Sequence, residues 1–152
     1  MSRLLFAVVC PLHPLPPGAA FPRREWPLHV TVVGNFTWTG NDADLIHRIA
    51  DVVDGRAPID AVVGDEAMFG PERTIPVNTL VTHSAVTALH EALIDDRMTF
   101  VEPQFLRAGY QAHITHFPVG RRYAGDRVRL GQAVLAEMVG DAASIRAVWD
   151  WH

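Results

Sequence analysis

The chain has a single cysteine, no apolar run longer than seven residues and no surplus of positive charge. Each shortfall excludes something. Cys10 alone allows no intrachain disulfide, and no basic neighbour is present to lower its pKa. Inside LLFAVVC it reads as a small buried hydrophobe rather than a nucleophile. That apolar run, residues 4–10, is broken by Pro11, Pro14, Pro16 and Pro17. It falls far short of the roughly 20 residues of a membrane-spanning helix. With Arg3 ahead and GAA behind, it faintly resembles a signal peptide, but it sits at the short limit for a signal core and a first buried strand explains it better. A cytoplasmic chain with no membrane partner is expected. The formal net charge of −4, from 13 basic against 17 acidic residues, argues against tracking long duplex or long RNA, because phosphate neutralisation supplies most of that affinity. A small phosphorylated ligand needs only a local basic patch.

The chain also lacks HExxH, paired cysteines, charge blocks and short repeats. What it has is an ordinary globular composition, 49% hydrophobic and 20% charged over 152 residues. That is enough for one domain, 1–152, with a real core and a monomer as the expected state.

Residues 4–9 read as a strand, and residues 11–27, with six prolines, as a loop. Residues 26–36 form a second strand, strongly β-branched at Val30, Thr31, Val32 and Val33. A helix follows: Asn41 or Asp42 caps it, Leu45, Ile46, Ile49, Val52 and Val53 form its apolar stripe, and Gly55 ends it. Residues 58–68 and 75–82 read as strands around the turn FGPERT. Ser84 then caps a second helix with Val86, Leu89, Leu93 and Ile94 inward. After an irregular stretch through Phe105, the segment beyond Gly109 reads as a strand, followed by strands at 127–138 and 144–151. The mixture is α+β, and each half carries one helix and one His-x-Thr strand.

Those two passages, LHVTVVGNF at 28–36 and QAHITHFP at 111–118, carry the chemistry. Side chains two apart on a strand point the same way, about 6.5–7 Å apart. His29 and Thr31 therefore share a face, and so do His113, Thr115, Gln111 and Phe117. An imidazole titrates near neutrality, so one can accept a proton while another donates one. A threonine hydroxyl can hydrogen-bond a non-bridging phosphate oxygen.

The repeated His-aliphatic-Thr pattern, its histidines eighty-four residues apart, resembles the two-histidine phosphoesterase superfamily, which includes 2′-5′ RNA ligase-like and cyclic phosphodiesterase proteins. The resemblance runs through nearly the whole order of elements. It implies a bilobed, pseudo-twofold arrangement of antiparallel sheets with flanking helices around a central cleft. It also implies a phosphodiesterase working without metal or other cofactor, with His29 and His113 as general acid and base in an order left open, and Thr31 and Thr115 on the phosphate. The substrate class it implies is a nucleoside or RNA-terminal 2′,3′-cyclic phosphate, or a short or cyclic oligonucleotide. The alternative is a non-catalytic nucleotide-binding module on the same fold, which would have no need of two titrating groups.

His116 departs from the family pattern, which has an aliphatic residue after the threonine. In a regular strand it points away from the cleft, as a hydrogen-bonded core residue or one near an edge, whereas a bulge would turn it into the site; the regular strand sets it against a zinc site with His29 and His113. Arg23 and Arg24 before the first motif, and Arg121 and Arg122 after the second, lie in loops that either stay solvated or reach the cleft rim; Arg23 and Arg121 are the candidates for phosphate recognition. Phe117 is the first candidate for a base-stacking platform and Tyr110 the second. Trp26, Phe36 and Trp38 are better explained by core packing, and Arg73 and Asn78 are weaker site candidates. His47, His83 and His90 are expected at the surface or its boundary.

Overall fold

Ten strands and two helices build the chain in a computed structural model that describes residues 4–152, so Arg3 lies outside the described residues. The strands join in the order β2 (Ala20–Pro22), β10 (Ala142–Asp150), β9 (Gln132–Val139), β1 (Leu5–Pro11), β3 (His29–Trp38), β7 (His113–Thr115), β5 (Ile75–Leu80), β4 (Ile59–Phe69) and β8 (Arg127–Leu130). A short β6 (Met98–Phe100) pairs with the far end of β3. Every pairing is antiparallel, and the two halves meet where Val30 of β3 faces Ile114 of β7. The two His-x-Thr segments are thus the neighbours at the centre of the sheet.

Helices α1 (Asp42–Val53) and α2 (Ser84–Leu93) pack on one face. Leu45, Ile49 and Val53 of α1 and Val86, Leu89 and Leu93 of α2 close a core over Phe6, Val8, Cys10, Val30, Val32 and Phe36. Asn41 caps α1 by accepting from the Asp44 amide, 2.8 Å. At α2 the capping position belongs to His83, and the helix begins at Ser84, one position earlier than the sequence suggests. Cys10 is fully buried there, and desolvation pushes its thiol up to about 12, as expected of a packing residue.

A second apolar cluster lies on the opposite face. Ala7, Val9, Val134, Ala136, Met138, Ala143 and Ile145 pack there with Trp26. The proline-rich segment covers this face and contains strand β2 and a 3-10 turn at Arg23–Glu25, where the prolines suggested only loop. Residues 127–138 likewise split into β8 and β9 around Gly131, and 144–151 alternates as expected within β10.

The ladder between β1 and β3 is irregular. In the β1–β3 pairing Val9 faces Thr31, Val8 faces Val33 and Phe6 faces Phe36. Two extra residues are therefore carried on the β3 side, and Val32 is the first of them. The bulges reverse the alternation: Val33, which would follow Thr31 into the cleft, is fully buried in the helix-side core.

Candidate functional site

His29 opens β3 and His113 opens β7. Each ring is tethered in the same way, by donating its Nδ1–H to the carbonyl two residues earlier: Pro27 for His29 and Gln111 for His113, both at 2.8 Å. A carbonyl only accepts, so Nδ1 carries the hydrogen and Nε2 of each ring is the atom that can exchange a proton with a substrate.

Their surroundings differ. His29 is 8% exposed, with Trp26 4.6 Å and Phe117 5.9 Å away between ring centroids. Burial lowers its pKa to about 4, against the opposing bond to Pro27, and the nearby His113 lowers it further. His113 is half-buried, with Phe69 edge-on at 4.7 Å. Burial lowers its pKa as well, and the bond to Gln111 opposes the shift.

Two cavities meet between them. The larger, about 460 Å³, is lined on its polar side by His113, Thr115, Thr31, Asn35, Gln111 and Arg73. Phe69, Phe105, Ile75 and Met68 give it apolar walls, and Glu102, His90 and Tyr110 also border it. The smaller, about 230 Å³, contains His29, Thr31, Thr115, Asn35, Arg23 and Phe117. Thr31, Thr115 and Asn35 line both, so the two hydroxyls sit at the junction with one histidine on either side.

The four motif residues are thus brought together. Arg23 lines the smaller cavity, where its guanidinium donates to the Gly140 carbonyl, 3.2 Å. Arg121 lines neither cavity: it pairs with Glu66 and lies over the Tyr123 ring, 4.7 Å from its centroid. Arg24 also lines neither, and Arg122 reaches His13 at 3.3 Å. Phe117 stands beside His29 rather than His113, with which it is in phase. Tyr110 borders the larger cavity, but its hydroxyl donates to the Thr31 carbonyl, 2.7 Å. Arg73, in the turn after β4, is the guanidinium at the larger cavity.

His116 turns from the cleft and bonds through Nε2 to Oδ1 of the buried Asn78, whose amide donates to the Gly64 carbonyl. Among the described residues no three His, Cys, Asp or Glu gather as a metal-binding group. His47 and His83 are exposed, but His90 corrects the expectation. It is 1% exposed because it continues the stripe of Val86, Leu89 and Leu93 at helical spacing. Sequence reasoning also missed Asn35 and Phe69. Gly34, a glycine inside a strand, was the available sign that β3 changes phase before Asn35.

The comparisons with known proteins bear on the family and the fold. A family model described as the 2′-5′ RNA ligase superfamily matches residues 16–148. A solved structure described as a phosphoesterase matches with TM-score 0.57 at 14% identity, covering 98% of both chains. TT0787 of Thermus thermophilus matches with TM-score 0.57 at 15% identity over 98% of this chain and 97% of its own. E. coli LigT complexed with phosphate matches with TM-score 0.56 at 14% identity, over 98% and 96%. At such identities these likenesses speak to the fold. No curated protein sequence matches the chain.

Proposed function

The chain belongs to the 2′-5′ RNA ligase superfamily of phosphoesterases, and on that premise we propose that it opens a nucleoside 2′,3′-cyclic phosphate by histidine–histidine acid–base catalysis. The observation that carries the reading is the junction of the two cavities, where Thr31 and Thr115 meet between His29 and His113. Phosphate occupies that junction, its non-bridging oxygens accepting from the two hydroxyls. In-line displacement needs one group to activate the nucleophile and another, on the far side of phosphorus, to protonate the leaving oxygen.

The unequal cavities favour one nucleoside, on the His113 side, over a cyclic oligonucleotide with nucleosides on both sides of the scissile phosphate. Its base stacks between apolar walls that include Phe69 and Phe105. Water then enters on the His29 side. Nε2 of His29 takes a proton from that water, the oxygen bonds to phosphorus, and the ribose oxygen leaves with the proton of His113 Nε2. The product is a ring-opened monoester, and proton exchange with solvent resets the pair. His29, with its pKa lowered to about 4, is the stronger candidate for the unprotonated base. E. coli LigT has been solved with 3′-AMP as well as with phosphate, which supports a small nucleotide as partner.

A panel of nucleoside 2′,3′-cyclic phosphates and cyclic di- and trinucleotides, assayed with and without chelator, tests the proposal. Opening of the monocyclic substrates unaffected by chelator is expected. Loss of turnover in chelator overturns the metal-free mechanism. Nucleotide binding with no turnover of any substrate makes the chain a binding module instead.

A further inference from the structure

We propose that His90 and Tyr110 are positioning residues for the phosphate site, a stacked pair that holds consecutive carbonyls of β3 and so fixes the bulge that aims the Thr31 hydroxyl into the cleft. The inference rests on the reading that Thr31 binds phosphate.

A buried imidazole needs partners for both nitrogens. His90 donates from Nδ1 to the Val32 carbonyl, 2.7 Å, and its Nε2 accepts the Arg107 backbone N–H, 3.0 Å. The ring borders the larger cavity, yet both its nitrogens are committed, so it is not a third proton shuttle. Tyr110 lies flat on it, centroids 4.0 Å apart and planes 8° from parallel, and donates its O–H to the Thr31 carbonyl.

In a regular strand successive carbonyls point to opposite edges. Here those of Thr31 and Val32 go to two rings stacked on each other, so both face the same edge, as a bulge at Val32 requires. That edge is a gap in the sheet. β7 pairs with β3 at Val30, and β6 begins pairing only at Phe36. The two rings fill the space between.

The same pair reaches the second motif. Arg107 has φ 53°, a left-handed conformation that a non-glycine residue holds at some cost, and His90 grips its amide. Tyr110 immediately precedes Gln111, whose carbonyl tethers His113.

The test uses Tyr110→Phe, which removes one hydroxyl and keeps the stack, and His90→Phe, which keeps the ring and loses both hydrogen bonds. Three quantities are read: the affinity for inorganic phosphate, kcat and KM with a nucleoside 2′,3′-cyclic phosphate across pH, and amide hydrogen exchange over residues 31–35. Tyr110→Phe should weaken phosphate binding and raise KM by about fivefold, the worth of one hydrogen bond, and His90→Phe by more. Exchange over residues 31–35 should accelerate, while kcat and the shape of its pH profile stay near wild type. In a Thr31→Val background Tyr110→Phe should add nothing further, because the bond it removes acts through that hydroxyl.

A folded Tyr110→Phe protein with unchanged phosphate affinity and KM overturns the proposal, as does an undiminished effect in the Thr31→Val background. A His90→Phe chain that does not fold leaves the decision to Tyr110→Phe. If the wild-type protein neither binds phosphate nor opens the substrate, the reading of the site's function fails. Exchange then decides the clasp by itself: no acceleration in Tyr110→Phe overturns it.

Discussion

β3 and β7 carry the same three-letter motif, and almost everything around the motif differs. β3 is ten residues long, is paired on both edges and carries two bulges, and its histidine is walled in by Trp26 and Phe117. β7 is three residues long and places its histidine, half-buried, on the larger cavity. The local tether, a ring Nδ1–H on the carbonyl two residues back, is identical. The lesson is that motif and tether fix the tautomer and aim of each imidazole, while the packing beyond them sets its charge. On the proposed reading, a duplicated motif serves as a base and an acid only because the two environments are unequal.

Removing the histidines tests that division most severely. His29→Ala and His113→Ala should each lower kcat by on the order of a hundred- to ten-thousand-fold on a nucleoside 2′,3′-cyclic phosphate. The double variant should fall little further, because the pair acts as a unit. Full turnover in both single variants would remove the catalytic assignment.

The next effect concerns folding. The folded-state pKa of His29 is lowered to about 4 from the usual 6.5, so between those values the unfolded chain binds the proton that the folded one refuses. Its contribution to stability is complete above about pH 6.5 and is lost as pH falls toward 4, amounting to at most about 3 kcal/mol. Thermal melts from pH 7 to pH 4 should show the wild type losing more Tm than His29→Gln. Parallel curves would mean that His29 titrates in the folded protein as it does in water. The same asymmetry sets the rate profile: with base His29 free above about 4 and acid His113 protonated only below a lowered pKa, kcat/KM should peak below pH 6.5.

The threonines come third, and they sharpen the comparison by being alike. Both line both cavities, so Thr31→Val and Thr115→Val should each raise KM by about tenfold, the loss of a hydrogen bond to a charged oxygen. A tenfold effect from one and none from the other would place the phosphate off the junction.

How far this site could be read from the residues follows from where β alternation holds. It holds from His29 to Thr31 and from His113 to Thr115, and those four residues are where the pattern puts them. It fails two residues later in β3, because the extra residue at Val32 sends Val33 inward, and Asn35 comes to line both cavities. Arg121 departs from the pattern for another reason: its nearness in sequence to the motif says nothing of Glu66, fifty-five residues away, which it pairs with. His90, by contrast, was legible and overlooked, since its spacing from Val86, Leu89 and Leu93 is that of a buried helix face. Partners brought together by the fold were the unreadable part; phase along one element was readable wherever no residue was inserted.

Phe117 gives the smallest effect and the finest discrimination. In sequence it sits in phase with His113, which suggested a stacking platform for a base; in the structure it shields His29 in the smaller cavity. These roles predict different kinetics. A platform lost in Phe117→Ala would raise KM and leave the pH profile alone. A shield lost there would admit water to His29 and relieve part of its desolvation. The acid limb of the kcat/KM profile should then move up by about half a unit with KM nearly unchanged. Phe105→Ala, in the lining of the larger cavity, should behave in the opposite way, raising KM a few-fold with the limb in place. If both variants shift KM and neither shifts the limb, the nucleoside lies across both cavities, and the division between a base side and a substrate side falls with it.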